Sequence, residues 1–72
     1  MRIADVKVGK AYLMKSGAIG RVVNQHSKSH VRVKVVFPFP HETVVPGRDI
    51  DREVSREEVP EQFHAALFDQ EA

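Results

Sequence analysis

The six residues VRVKVV, Val31 to Val36, admit few folds. Val31, Val33 and Val35 alternate with Arg32 and Lys34, a period of two that turns valines to one side of an extended strand and cations to the other. One side is predicted to be core and the other to meet water. Ala11 to Lys15 alternates in the same way, with Tyr12 and Met14 opposite Ala11, Leu13 and Lys15, which predicts a strand partly buried on both faces. Ser16-Gly17 predicts a turn in which Gly17 takes a positive φ. A second strand follows over Ile19 to Gln25. Gly20 lies inside it, where a missing side chain marks a bulge or the close approach of another backbone. The polar segment NQHSKSH, Asn24 to His30, joins it to the valine strand.

That strand is predicted to stop at FPFP, because Pro38 and Pro40 lack the amide hydrogen a ladder needs and hold the chain extended. Glu42 to Val45 reads as a fourth strand, Pro46-Gly47 as the centre of a type II turn, and RDIDREV, bracketed by Ile50 and Val54, as a short edge strand. The period then changes. Val59, Phe63, Ala66 and Leu67 recur at i, i+4, i+7 and i+8, predicting an amphipathic helix from about Pro60 to Gln70 with Pro60 in its first turn. Ser55 and Glu58 have capping-box spacing, but a helix begun there would hold Pro60 in its interior, so only a turn or a short 3₁₀ piece is predicted. Ile3, Val6 and Val8 are apolar points on a short lead-in ended by Gly9.

With 72 residues the chain makes one domain with a thin core, since a protein this size buries only about 60% of its unfolded surface. The absence of cysteine excludes disulfide staples and thiolate zinc sites. No apolar run approaches the roughly 20 residues of a membrane helix, and MRIADVKVGK lacks a signal-peptide core, so a cytoplasmic protein without a membrane partner is expected. A net charge of +1 conceals an asymmetry. Through His41 eight Lys and Arg stand against Asp5 alone, a formal +7; from Glu42 onward three Arg stand against nine carboxylates, a formal −6. The halves attract each other and offer partners two opposite faces.

Residues 8 to 36 place Gly9 before a strand, Ser16-Gly17 at its end, Gly20 and Val22 at the opening of the next strand, and VRVKVV at the close. In this order they resemble the KOW and Tudor-like group of SH3-like small β-barrels. The resemblance covers about half the chain. With the strand and helix signals above, it leads to the expectation of a mainly β fold, a small SH3-like barrel of about five strands with a C-terminal α-helix: one domain over residues 1–72, with the barrel in 1–54 and the turn and helix in 55–72. It also implies binding of RNA, of ribosomal or transcription components, or of peptides. The departure is at the turn, where KOW units often carry further lysines and this chain has Ala18 and Ile19.

Arg32 and Lys34 share one strand face, Arg21 lies on the neighbouring strand and Lys28 in the loop between them, a set suited to phosphates. The plainer reading of the same four is solubilising charge that guards a sheet edge. Phe37 and Phe39 flank Pro38 and would project to one side of an extended segment; exposed, they form a stacking platform or a hydrophobic anchor, but in so small a domain both rings are expected in the core or under the helix. Phe39 and Phe68 are the candidates for a protein contact, Phe68 at the edge of the helical stripe. The run from Asp49 to Glu61 is laced with two arginines, Arg52 and Arg56, with Arg48 just before it, and offers an acidic face to a basic partner.

His26 and His30 have i,i+4 spacing but lie in a loop with Lys28 between them, and no carboxylate or cysteine completes a ligand set, so no metal or cofactor is expected. The serines lack a nucleophile turn and there is no phosphate loop, so no enzyme is expected. The resulting reading is a non-enzymatic module that binds RNA or DNA, or a nucleoprotein complex of the transcription or translation machinery, through its basic strand face. The alternative is a protein-interaction module that regulates a larger assembly through its helix or acidic C-terminal face. Either reading accommodates a homo-oligomer.

Overall fold

A computed structural model describes residues 1–68 of the chain. Five strands, β1 (Ala11–Met14), β2 (Ile19–Gln25), β3 (His30–Phe37), β4 (His41–Pro46) and β5 (Ile50–Glu53), form one antiparallel sheet in the order β4-β3-β2-β1-β5. The fold is mainly β, with a short C-terminal helix. Among the described residues β4 pairs only with β3 and β5 only with β1, so the sheet is open and the expected closed barrel is not formed. The seam is bridged differently. A 3₁₀ turn, Gly47–Asp49, links β4 to β5, and the N-terminus packs there, its amino group donating to the Ile50 carbonyl at 2.7 Å.

Gly47 sits under that N-terminal strap. A Cβ on it would lie 2.8 Å from the Met1 carbonyl oxygen and 2.9 Å from the Ile3 nitrogen, so close approach is the reason for a glycine here. Its φ is not positive, which replaces the expected type II turn with the 3₁₀ turn. Gly17, by contrast, takes the expected positive φ of 96° between β1 and β2.

Two cores lie on the two faces of the sheet. On the inner face Tyr12, Met14, Val22, Val31, Val33, Val35 and Ile50 are buried together, and Met1, Ile3 and Val6 pack against them. The Tyr12 hydroxyl accepts the Lys7 amide hydrogen at 2.7 Å, which satisfies its polar end. On the outer face Ala11, Val54, Val59 and Leu67 are buried, with Leu13, Ile19, Val36, Phe63 and Phe68 packed around them. The C-terminal segment thus covers the part of the outer face around Ala11, Leu13, Ile19 and Val36. It does so with less helix than the periodicity predicts: a 3₁₀ turn at Glu61–Phe63 followed by one α turn, α1 (His64–Leu67). Pro60 precedes the 3₁₀ turn, and the predicted end of the helix at Gln70 lies outside the described residues.

Ser55–Glu58 forms the predicted capping box around a 3₁₀ turn, Arg56–Glu58. Glu58 Oε2 accepts from the Ser55 amide at 2.8 Å and from Ser55 Oγ at 3.1 Å, while Oε1 accepts from Arg52. The Ser55 backbone hydrogen bond, and then the Arg52 one, holds the Glu58 carboxyl below the usual carboxylate range. A carboxyl depressed in the folded state stabilises above its unfolded pKa, and that contribution is lost as pH falls through the folded value. Glu58→Gln keeps a capping residue but removes the titration. Thermal unfolding across the acid range is therefore expected to show a shallower stability loss for Glu58→Gln than for the wild type; parallel curves would reject this role.

Candidate nucleic-acid interface

Beyond the part covered by the C-terminal segment, the outer face carries charge. Arg21 on β2 stands directly opposite Lys34 on β3, and Lys34 stands opposite Glu42 on β4. The next row is Asn24, Arg32 and Val44. Residues in register share a face, so Arg21, Arg32 and Lys34 are brought together as expected. Lys28 is exposed at the end of the β2–β3 hairpin, where His26 and Ser27 both donate backbone hydrogen bonds to the His30 carbonyl. It stands past the strip rather than within it.

Glu42 is the counter-charge of this face, a role that alternation along the sequence does not reveal. Its carboxylate reaches Arg32 at 3.7 Å, with both side chains substantially exposed, a pairing worth under about 1 kcal/mol. Arg32 Nε is shielded from solvent and has no hydrogen-bond partner among the described residues. Arg21 and Lys34 make no ion pair among the described residues, although two cations directly opposite on a sheet repel. An anion seated between them relieves that repulsion. Nor do they guard an edge: β2 and β3 are interior strands, each with a neighbour on both sides.

Phe37 adds an aromatic to this face. β3 carries one extra residue opposite Ile19–Gly20, since Ile19 pairs with Phe37 and Gly20 with Val35. The bulge turns Phe37, like Val36, toward the outer side, where its ring meets Phe63 edge-on at 5.9 Å and 71°. Phe37 is 44% exposed, so it lies beside the C-terminal segment without being covered by it. Phe39 departs further from the expected core position, at 59% exposed, stacked on His41 at 4.5 Å. The chain bends at Pro38 and Phe39 instead of running extended, which parts the two rings. Phe68 is half-buried against the outer core, edge-on to His64 and under the Arg56 guanidinium.

The inner face holds a cleft of about 330 Å³ beside the open seam. The alternate residues His41, Thr43 and Val45 of β4 form one wall, Lys15 and Asp49 lie across from them, and Met14, Ala18 and Val35 are also in the lining. Among the described residues no group of three or more His, Cys, Asp or Glu is arranged to hold a metal ion, and no helix is long and apolar enough to cross a membrane.

Comparison of the chain with protein-family models, with curated proteins and with solved structures finds no match.

Proposed function

We propose that the protein is a non-enzymatic module that binds nucleic acid, alone or within a nucleoprotein complex of the transcription or translation machinery, through the outer face of β2 and β3. The observation that carries this reading is the in-register pair Arg21 and Lys34 on interior strands, free of ion pairing among the described residues and flanked by Arg32. Edge protection does not account for cations on interior strands, and solubility does not require them to face each other. The resemblance of residues 8 to 36 to the KOW and Tudor-like group of SH3-like barrels supports the same reading, since members of that group usually bind RNA, ribosomal or transcription components, or peptides. A protein contact through Phe39 and Phe68 has less behind it, because the Phe68 ring is already engaged by His64, Arg56 and the outer core.

Arg21, Lys28, Arg32 and Lys34 together offer about four phosphate contacts, for which log Kobs against log salt is expected to fall with a slope of roughly −3 to −4 on duplex and less steeply on a single strand. Fluorescence anisotropy with a labelled oligonucleotide at several salt concentrations measures it. Arg21→Ala and Lys34→Ala should each flatten the slope by about 1, and Arg32→Ala by less, because Glu42 competes for Arg32. Binding that ignores salt, or slopes indifferent to Arg21 and Lys34, would reject the proposal.

A further inference from the structure

We infer that the ligand of this face is single-stranded nucleic acid, with one unpaired base stacked on Phe37 while the adjoining phosphate sits at Arg21 and Lys34. This rests on the basic-face reading and narrows it. Phe37 follows Lys34 by three residues on β3, a separation of roughly 10 Å along the strand that the bulge shortens. The flexible Lys34 and Arg21 side chains span the remainder, so one nucleotide reaches both the ring and the cations. The ring is set in advance: the edge-on contact with Phe63 fixes its plane, and Phe63 is itself packed on the outer core around Leu67. A fixed ring loses little freedom when a base stacks on it.

Duplex does not fit this arrangement. The bases of a double helix are covered above and below by their neighbours, and only an unstacked base offers a face to an aromatic side chain. Reading the base edges of a duplex also needs an element that enters a groove, such as a helix or a two-stranded ribbon. Here the ring and the cations lie on the broad side of interior strands, and one turn of helix, α1, packs against the same face. Since stacking tolerates any base and no side chain of the strip is committed to a base edge, weak sequence preference follows.

The experiment compares a fluorescein-labelled oligouridylate of about twelve nucleotides with an RNA duplex of equal length, on the wild type and on Phe37→Leu, Phe37→Tyr and Phe39→Leu. Leucine keeps an apolar side chain against Phe63 but offers no stacking face, and circular dichroism establishes that each variant is folded. Phe37→Leu is expected to weaken oligouridylate binding by about 5- to 150-fold, the equivalent of about 1–3 kcal/mol, with an unchanged salt slope. Phe37→Tyr should restore it, Phe39→Leu should leave it near wild type, and the duplex should bind more weakly than the single strand and ignore Phe37. Salt-dependent binding that is equal for the two RNAs, or unaltered by Phe37→Leu, overturns the single-strand inference and leaves the basic face standing. Absence of binding to either RNA overturns both.

Discussion

Gly20→Ala is expected to destabilise the protein by about 1–3 kcal/mol or more, the cost of forcing an extra carbon into a packed interior. A Cβ at this position would lie 2.5 Å from Val33 Cγ1, 2.9 Å from the Lys34 carbonyl oxygen and 3.0 Å from Val35 Cα. Two of those three atoms are backbone, so no rotamer change relieves the overlap; β2 has to move away from β3. That is the most extensive strand contact in the sheet's centre, and Gly20 also stands opposite the fully buried Tyr12 on β1. The φ of Gly20 is not positive, so the penalty is one of space and not of backbone conformation. Urea unfolding measures it: the midpoint should fall while the dependence on denaturant stays near wild type. Moving β2 also shifts Arg21 relative to Lys34, so the proposed nucleic-acid affinity should fall with stability. A midpoint within the range of a surface substitution would mean that β2 and β3 do not approach as closely as this.

Gly20 also shows how far sequence reading extends. The strand interior was visible from alternation, and a glycine within it pointed to a bulge or a close approach; the structure has both, with the register shifting between Ile19 and Gly20. What alternation does not reveal is which strand carries the extra residue. Here it is β3, and that single insertion sends Phe37 to the outer face, away from Val35 and its fellow core valines. Arg21, Arg32 and Lys34 were legible as a set because in-register pairing preserves the period of two across strands. The role of Glu42 is not visible from alternation, since it depends on which residue of β4 faces Lys34, and that is set by the bent FPFP connection.

The open seam was not legible either. Five short strands with glycine hinges are compatible with closure, but the 3₁₀ turn Gly47–Asp49 carries the chain from β4 to β5 without the two strands pairing, and Met1 and Ile3 pack over Gly47. The C-terminal helix was overestimated for a related reason. Val59, Phe63 and Leu67 do face one core, as their spacing implies, yet Pro60 separates the first from the others, so the apolar stripe is built from an extended residue, a 3₁₀ turn and one α turn. Periodicity located the face correctly without specifying the backbone that presents it.

The buried end of that stripe carries the largest single side-chain effect. Leu67→Ala is expected to cost about 2–5 kcal/mol, the range for truncating a buried leucine. Leu67 is fully buried between Ala11, Val54 and Val59, with Phe63 and Phe68 packed around the same cluster, so its truncation opens a cavity in the outer core. For a 72-residue domain the total stability is about 4–11 kcal/mol at 0.05–0.15 kcal/mol per residue, so this one change removes a large fraction of it. The consequence reaches the proposed interface. Release of the C-terminal segment would expose Ala11, Leu13, Ile19 and Val36 next to Arg21 and take Phe63 away from Phe37, freeing a ring whose orientation depends on that contact. At a temperature where Leu67→Ala remains folded, its salt slope should match the wild type, because Arg21, Lys34 and their register belong to the sheet. The proposed preference for single strands over duplex should shrink, because Phe37 is no longer held. Thermal unfolding followed by anisotropy on the same samples separates the two effects, and a Leu67→Ala protein as stable as the wild type would mean that the C-terminal segment is not packed on the outer face at all.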